Sequence, residues 1–405
     1  MAPPEPPASA RGLAAVAAAD PDRPALVGGE RRLTFAALDR SVNALAHRLA
    51  AAGVGPGDRV SVLLGNGLEI FVVWYAVARR GALVVPVSTR LTAPEATYIV
   101  GDSGSAVVVH DGSPVAAAAV EATGATSLVA GEATVAEGTE RPPDEDYLDA
   151  PVTTMTYTSG TTGRPKGISR PAPAPAREAP PNPFARFWGL GPHDVHLMCG
   201  PGYHTAPSAY AQMSLTEGGC VVVMPRFDAT EALRLIEAEK VTTAQMVPAH
   251  FVRILEADWE AYDRSSVRKI LHAAAPCPVT VKRRIIEVFP PGSVWEFYGA
   301  SEGMASVISP EEWLAKPGSV GRPFPGLTVR VLDDEGRDLP AGEVGSIYIS
   351  AFSGHRFGYH NDPGKTEEAW RGDFFTAGDL GWLDEDGFLF LADRRTDLIL
   401  SGGVN

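Results

Sequence analysis

Thr158-Ser159-Gly160-Thr161-Thr162-Gly163-Arg164-Pro165-Lys166-Gly167 follows an alternating run from Val152 to Tyr157 that reads as a strand. Glycines let backbone N–H groups approach a ligand closely, hydroxyls donate hydrogen bonds and an ammonium offsets negative charge, so this loop suits a phosphate. It is not a Walker A loop. That pattern, GxxxxGK[ST], needs four residues between its glycines and a hydroxyl after the lysine, whereas Gly160 and Gly163 stand closer and Gly167 follows Lys166. On residue types alone, a flexible surface turn is the competing reading.

Outward from this loop, the chain alternates short apolar runs with helical patterns. Thr34 is placed as the N-cap of an amphipathic helix carrying Phe35, Leu38, Val42, Leu45 and Leu49 and stopping near Gly53. Val60 to Leu64, a helix over Leu68 to Arg79, Leu83 to Val87 and Ala106 to Val109 follow. The alternation resumes at Val195 to Met198 and Val221 to Met224, then a helix Ala229 to Lys240, Thr243 to Val247, a helix after His250, Lys269 to Ala273, a helix Val279 to Val288, and Val294 to Tyr298. Such series predict βαβ units with parallel strands covered on both faces. Prolines 171, 173, 175, 180, 181 and 183 mark a connection that sustains neither helix nor central strand. Beyond Ser309 the texture changes to short strands and tight turns, as at Val329 to Leu332 before Asp333-Asp334-Glu335-Gly336. The expected fold is α/β: two stacked βαβ-type subdomains with mostly parallel sheets, residues 1–170 and 171–309, plus a small antiparallel β subdomain at 310–393.

Composition bounds the partners. The 405 residues are 45% hydrophobic and 21% charged, an ordinary globular balance. A formal net charge of -14 disfavours nucleic acid, whose binding relies on Lys and Arg displacing counterions. Cys199, Cys220 and Cys277 have neither disulfide-framework nor zinc-ligand spacing. No signal pattern opens the chain, and Ile70 to Ala78 is far short of the roughly 20 residues that span a bilayer. A soluble cytoplasmic protein without membrane insertion is expected, and the Ala, Arg, Pro and Gly bias points to a GC-rich bacterial source.

The string from Thr158 to Gly167 resembles the phosphate loop of the adenylate-forming superfamily, which includes acyl-CoA synthetases, luciferases and the adenylation domains of peptide synthetases. Further blocks match in the family's order: Arg80-Gly81-Ala82, Val85-Pro86-Val87, Asp102-Ser103-Gly104, Tyr298-Gly299-Ala300-Ser301-Glu302, Val320-Gly321-Arg322-Pro323, Thr376-Ala377-Gly378-Asp379-Leu380-Gly381 and Asp393-Arg394-Arg395-Thr396-Asp397. The resemblance implies an acyl-CoA ligase with ATP, Mg²⁺ and CoA as its ligands. Thr158, Ser159, Gly160, Thr161, Thr162, Gly163 and Lys166 would cradle the phosphates, with Thr158 and Lys166 acting catalytically. Ser301 would donate to the α-phosphate and Glu302 would hold Mg²⁺. Tyr298 would pack beside the adenine, with Ala273, Ala274 and Ala275 on its other side. Asp379 would accept both ribose hydroxyls, and Arg394 would reach ribose and phosphate.

On the acid side, Pro201-Gly202-Tyr203-His204-Thr205-Ala206 resembles the motif whose aromatic gates substrate and CoA access, making His204 the gate, with Gly299 and Ala300 beside the acid. Gly202 to Ala206 contains no acid to hold an α-ammonium, which favours a hydrophobic carboxylic acid without an α-amine. The family's mobile C-terminal domain carries a further catalytic lysine. This chain stops at Gly402-Gly403-Val404-Asn405, inside the motif opening that domain, so 394–405 is read as hinge and the isolated piece as impaired. The alternatives kept are a stand-alone adenylation enzyme loading a carrier protein, and a form that binds acyl-AMP without adenylating. Self-association stays open.

Overall fold

The computed structural model describes residues 11–136, 138–139, 142–143, 146–158, 164–171, 182–352 and 356–392. These residues form two compact units, one up to Met155 together with 182–226, the other Thr156–Pro171 together with 227–392. The division therefore does not follow consecutive blocks. Val195–Met198 and Cys220–Val223 go with the first unit, and the hairpin carrying Thr158 and Lys166 goes with the second.

In the first unit, a four-stranded parallel sheet runs Leu83–Pro86, Arg59–Leu63, Val107–His110, Thr126–Val129. Its strands read as valine runs because both faces are covered. Val60, Val84, Val107, Val108 and Val109 are all fully buried. Helix Phe35–Ala51 begins where Thr34 accepts from the Ala37 N–H at 3.2 Å, and its Phe35, Leu38, Val42, Leu45 and Leu49 form the buried stripe. Helix Leu68–Ala78 is apolar all round except at Glu69 in its first turn, which pairs with Arg31, and every other residue of it is buried. A second set of strands pairs Val195–Met198 with Cys220–Val223 in parallel, then Cys220–Val223 with Pro24–Gly28, which turns back as the hairpin strand Arg31–Thr34. The expected strand Val152 to Tyr157 is split. Met155 and Thr153 bond to the backbone of Val84, and the named strand begins only at Thr156.

In the second unit, Thr243–Met246, Lys269–His272 and Val294–Ala300 lie parallel, separated in sequence by helices Pro248–Glu256 and Val279–Val288. Val294–Ala300 then pairs antiparallel with Gly303–Ile308, and the antiparallel path continues through Ser319–Pro323, Leu389–Leu391, Leu380–Leu383 and Gly345–Ser350. The short strands expected after Ser309 are thus hydrogen-bonded into the same sheet as the parallel ones. A separate three-stranded antiparallel sheet joins Thr156–Thr158, Lys166–Ser169 and Gly358–Tyr359. Among the described residues, no helix is long and apolar enough to cross a membrane.

Candidate functional site

The phosphate-loop residues Ser159, Gly160, Thr161, Thr162 and Gly163 lie outside the described residues, as does Arg394. The loop's two ends are described. Thr158 stands directly opposite Lys166 in the antiparallel hairpin, so strand pairing sets the mouth of the loop. Lys166 Nζ donates to Asp362 Oδ2 at 2.8 Å, and this contact holds the Asp362 carboxyl below its usual range. Asp362 is itself pinned as the N-cap of helix Pro363–Ala369, accepting from the Lys365 N–H at 3.0 Å.

Ser301 and Glu302 form the two-residue turn between Val294–Ala300 and Gly303–Ile308, with Ala300 paired to Gly303 across it. The register shifts between Tyr298 and Gly299, a bulge of the kind that re-aims side chains. Gly299 is glycine for a steric reason: a Cβ there would meet the Gly303 carbonyl oxygen at 2.7 Å and Met304 Cα at 2.8 Å. Two residues distant in sequence brace the turn. Tyr359 donates its hydroxyl to Glu302 Oε1 at 3.0 Å, and Arg170, leaving the Lys166–Ser169 strand, donates to the Ser301 carbonyl. Burial and the neighbouring Glu302 carboxylate raise the Tyr359 hydroxyl's pKa well above its ordinary value, so it stays a donor. Burial lowers that of Arg170, with Glu302 opposing.

Tyr298 donates its hydroxyl to Asp379 Oδ2 at 2.6 Å, and Asp379 is buried. A carboxylate has about four lone-pair sites, so acceptor capacity remains beyond this bond. Ala273, Ala274 and Ala275 leave strand Lys269–His272 as a loop in which Ala274 takes φ 76°, a left-handed conformation uncommon for alanine. The second unit thereby links the expected groups by contact: Lys166 to Asp362, Tyr359 (beside Asp362) to Glu302, and the Glu302 hairpin through Tyr298 to Asp379.

His204 belongs to the first unit, at the N-cap position of helix Thr205–Thr216. Its Nε2 is buried without a hydrogen-bond partner, and burial, reinforced by Arg90, pushes its pKa below the ordinary range. It therefore presents a neutral ring, edge-on to Tyr203 with centroids 4.8 Å apart.

Sequence reasoning missed Arg170, Tyr359 and Asp362. Only Asp362 carried a local signal, an acid directly before Pro363 at a helix start.

A magnesium ion held mainly by substrate phosphates needs one or two protein carboxylates rather than an all-protein cage. Glu302, at the tip of its turn, supplies one such hard oxygen donor, and among the described residues no group of three or more His, Cys, Asp or Glu forms a cage. The donor set fits that ion.

The sequence profile of AMP-binding enzymes matches residues 13–354. Fatty acid–[acyl-carrier-protein] ligase ScoC of Streptomyces coeruleorubidus is 33% identical over 403 residues, covering 95% of this chain and 77% of the relative. Long-chain-fatty-acid–CoA ligase FadD13 of Mycobacterium tuberculosis is 32% identical over 396 residues, covering 92% and 76%. Among solved structures, a double mutant of o-succinylbenzoate CoA synthetase from Bacillus subtilis superposes with a TM-score of 0.83 at 27% identity, covering 98% of this chain and 80% of that one. With the contacts above, these similarities place the chain among acid–thiol ligases that work through an adenylate. The chain belongs to the AMP-binding enzyme family, in its acyl-CoA and acyl-carrier ligase branch.

Proposed function

We propose that this chain activates a hydrophobic carboxylic acid lacking an α-amine and directs its acyl group to the thiol of CoA. The observation carrying this reading is the contact path through Lys166, Asp362, Tyr359, Glu302, Tyr298 and Asp379, which gathers cation, metal-type carboxylate and ribose-type acceptor in one unit. A carboxylate oxygen attacks the α-phosphorus of ATP, the bond to the β-phosphate oxygen breaks, and pyrophosphate leaves an acyl-AMP. The thiol sulfur then attacks the acyl carbonyl, AMP departs, and the thiol proton is released.

Thr158 and Lys166 would offset charge on the phosphates, and Ser301 would donate to the α-phosphate. Donors placed in advance where charge develops are the main source of rate in such transfers; one good donor contributes about 3 kcal/mol. Glu302 would hold Mg²⁺, which when bound neutralises phosphate charge. Tyr298 and Ala273–Ala275 would flank the adenine, and Asp379 would take the ribose hydroxyls. His204, Gly299 and Ala300 are assigned to the acid side by resemblance alone.

A carrier-protein thiol is the second acceptor reading, favoured by the similarity to ScoC. Exchange of pyrophosphate into ATP, run against aliphatic, aryl and α-amino acids, tests the first step. Dependence on a hydrophobic acid is expected. Exchange driven only by amino acids refutes the substrate class. Mass analysis of thioesters with CoA and a carrier protein offered together decides the acceptor.

A further inference from the structure

A buried ionic cluster underlies the strands that carry the adenine-side residues. Lys282, on helix Val279–Val288, has no exposed surface; its Nζ donates to Glu296 Oε2 at 2.9 Å and to His272 Nε2. The same ammonium lies 5.3 Å from the centroid of the Trp313 ring. His272 is fully buried and Glu296 nearly so, and the two are register partners on adjacent parallel strands. One cation thus ties the last residue of one strand and the third residue of its neighbour to the helix packed beside them.

Both strands lead into the site. Ala273–Ala275 continue directly from His272, and Tyr298 stands two residues beyond Glu296, on the same face of its strand. Cys277, at the far end of the alanine loop, stands two residues before helix Val279–Val288, so the loop runs from His272 to the helix that carries Lys282. Between them Ala274 holds φ 76°. An alanine stays in that region only when its surroundings over-determine it.

Stability does not account for the arrangement. Taking a lysine and a glutamate out of water is costly, and apolar residues of similar volume often serve as well or better. Burial pushes Lys282 down and Glu296 up in pKa, each opposed by its partner, while burial and the Lys282 charge keep His272 neutral and able to accept. What a three-way directional contact supplies, and apolar packing does not, is a directional anchor of helix Val279–Val288 onto both strands that lead into the site.

We propose that Lys282, with His272 and Glu296, is a positioning residue that sets the adenine-facing wall at Ala273–Ala275 and Tyr298 and so determines which base the site accepts. This rests on the nucleotide site proposed above.

Calorimetric titration of the full chain with AMP and with GMP, alongside thermal unfolding, tests it. Asp379→Ala controls for the site itself and should weaken both nucleotides alike. In Lys282→Met/Glu296→Gln, where no uncompensated charge remains, the preference for AMP over GMP should fall about ten-fold, since small misplacements of a binding wall are costly. Lys282→Arg, which keeps the cation, should retain most of that preference. If Asp379→Ala changes neither affinity, the nucleotide site is wrong. If Asp379→Ala weakens both while the folded double variant keeps the wild-type preference, the positioning role is wrong and the site stands. Failure of the charge-free double variant to fold would assign the cluster to stability and overturn the proposal.

Discussion

Replacing Asp379 by Asn changes charge while keeping shape. Asp379 is buried and already accepts one bond from Tyr298 at 2.6 Å, which an amide oxygen can still accept. What changes is the strength of the remaining acceptor sites. Hydrogen bonds to an ionised group contribute about 1.5–3 kcal/mol and neutral ones about 0.5–1.5, so each ribose hydroxyl loses about 1–1.5 kcal/mol. Two hydroxyls together lose about 2–3 kcal/mol, a roughly thirty- to 150-fold weaker AMP affinity. Titration calorimetry with AMP and 2′,3′-dideoxy-AMP isolates the effect. Wild-type protein should prefer AMP strongly, and Asp379→Asn should remove about half of that preference in free energy while leaving the dideoxy nucleotide nearly unchanged. An equal loss for both nucleotides would show that Asp379 acts through fold or charge and not through the ribose.

Lys166→Met should weaken ATP at least ten-fold more than AMP, because an ammonium beside the loop acts on the phosphates AMP lacks; equal losses in a titration would remove Lys166 from the phosphate site. At Ala274, with φ 76°, Ala274→Val should cost about 1–2 kcal/mol in chemical denaturation and Ala274→Gly little or nothing, since a β-branched side chain tolerates the left-handed region worst. The reverse order would mean the loop is not held as described. His196 is fully buried and its pKa falls from 6.5 to about 4 on burial, so the unfolded chain binds the extra proton first. Its contribution to stability is complete above pH 6.5 and is lost as pH falls toward 4, at about 1.4 kcal/mol per unit and about 3 kcal/mol in all. His196→Gln should flatten the stability profile between pH 7 and 4; an unchanged slope would refute this assignment.

Elements were legible where one physical pattern dominates. Helix Val279–Val288 has the bounds its spacing predicts, and the valine runs became parallel strands because a sheet covered on both faces needs no polar alternation. Helices Pro114–Thr123 and Thr205–Thr216 escaped notice because alanine, serine and threonine give them no apolar stripe to detect. The site divides the same way. Glu302 and Asp379 each sit inside a contiguous motif that the sequence offers for reading, whereas Arg170 and Tyr359 touch partners 131 and 57 residues away with no local mark, and Asp362 is marked as a helix start but not as the partner of Lys166, 196 residues away.

Lys282 sits between these cases. In Lys282-Arg283-Arg284 it reads as part of a solvated face, yet Lys282, Ile285 and Val288 recur at the three-residue spacing of the helix's buried side. Glu296 likewise interrupts the apolar strand Val294-Trp295-Glu296-Phe297-Tyr298, between buried Val294 and buried Phe297. A lone charge at a core position argues against the assigned pattern. Two of opposite sign, one on a helix and one on the strand that follows it, argue instead that the charges meet, because only pairing makes burial of either tolerable. The helical stripe outranks the residue type at Lys282, whose removal should alter base preference although it lies outside the proposed nucleotide contacts.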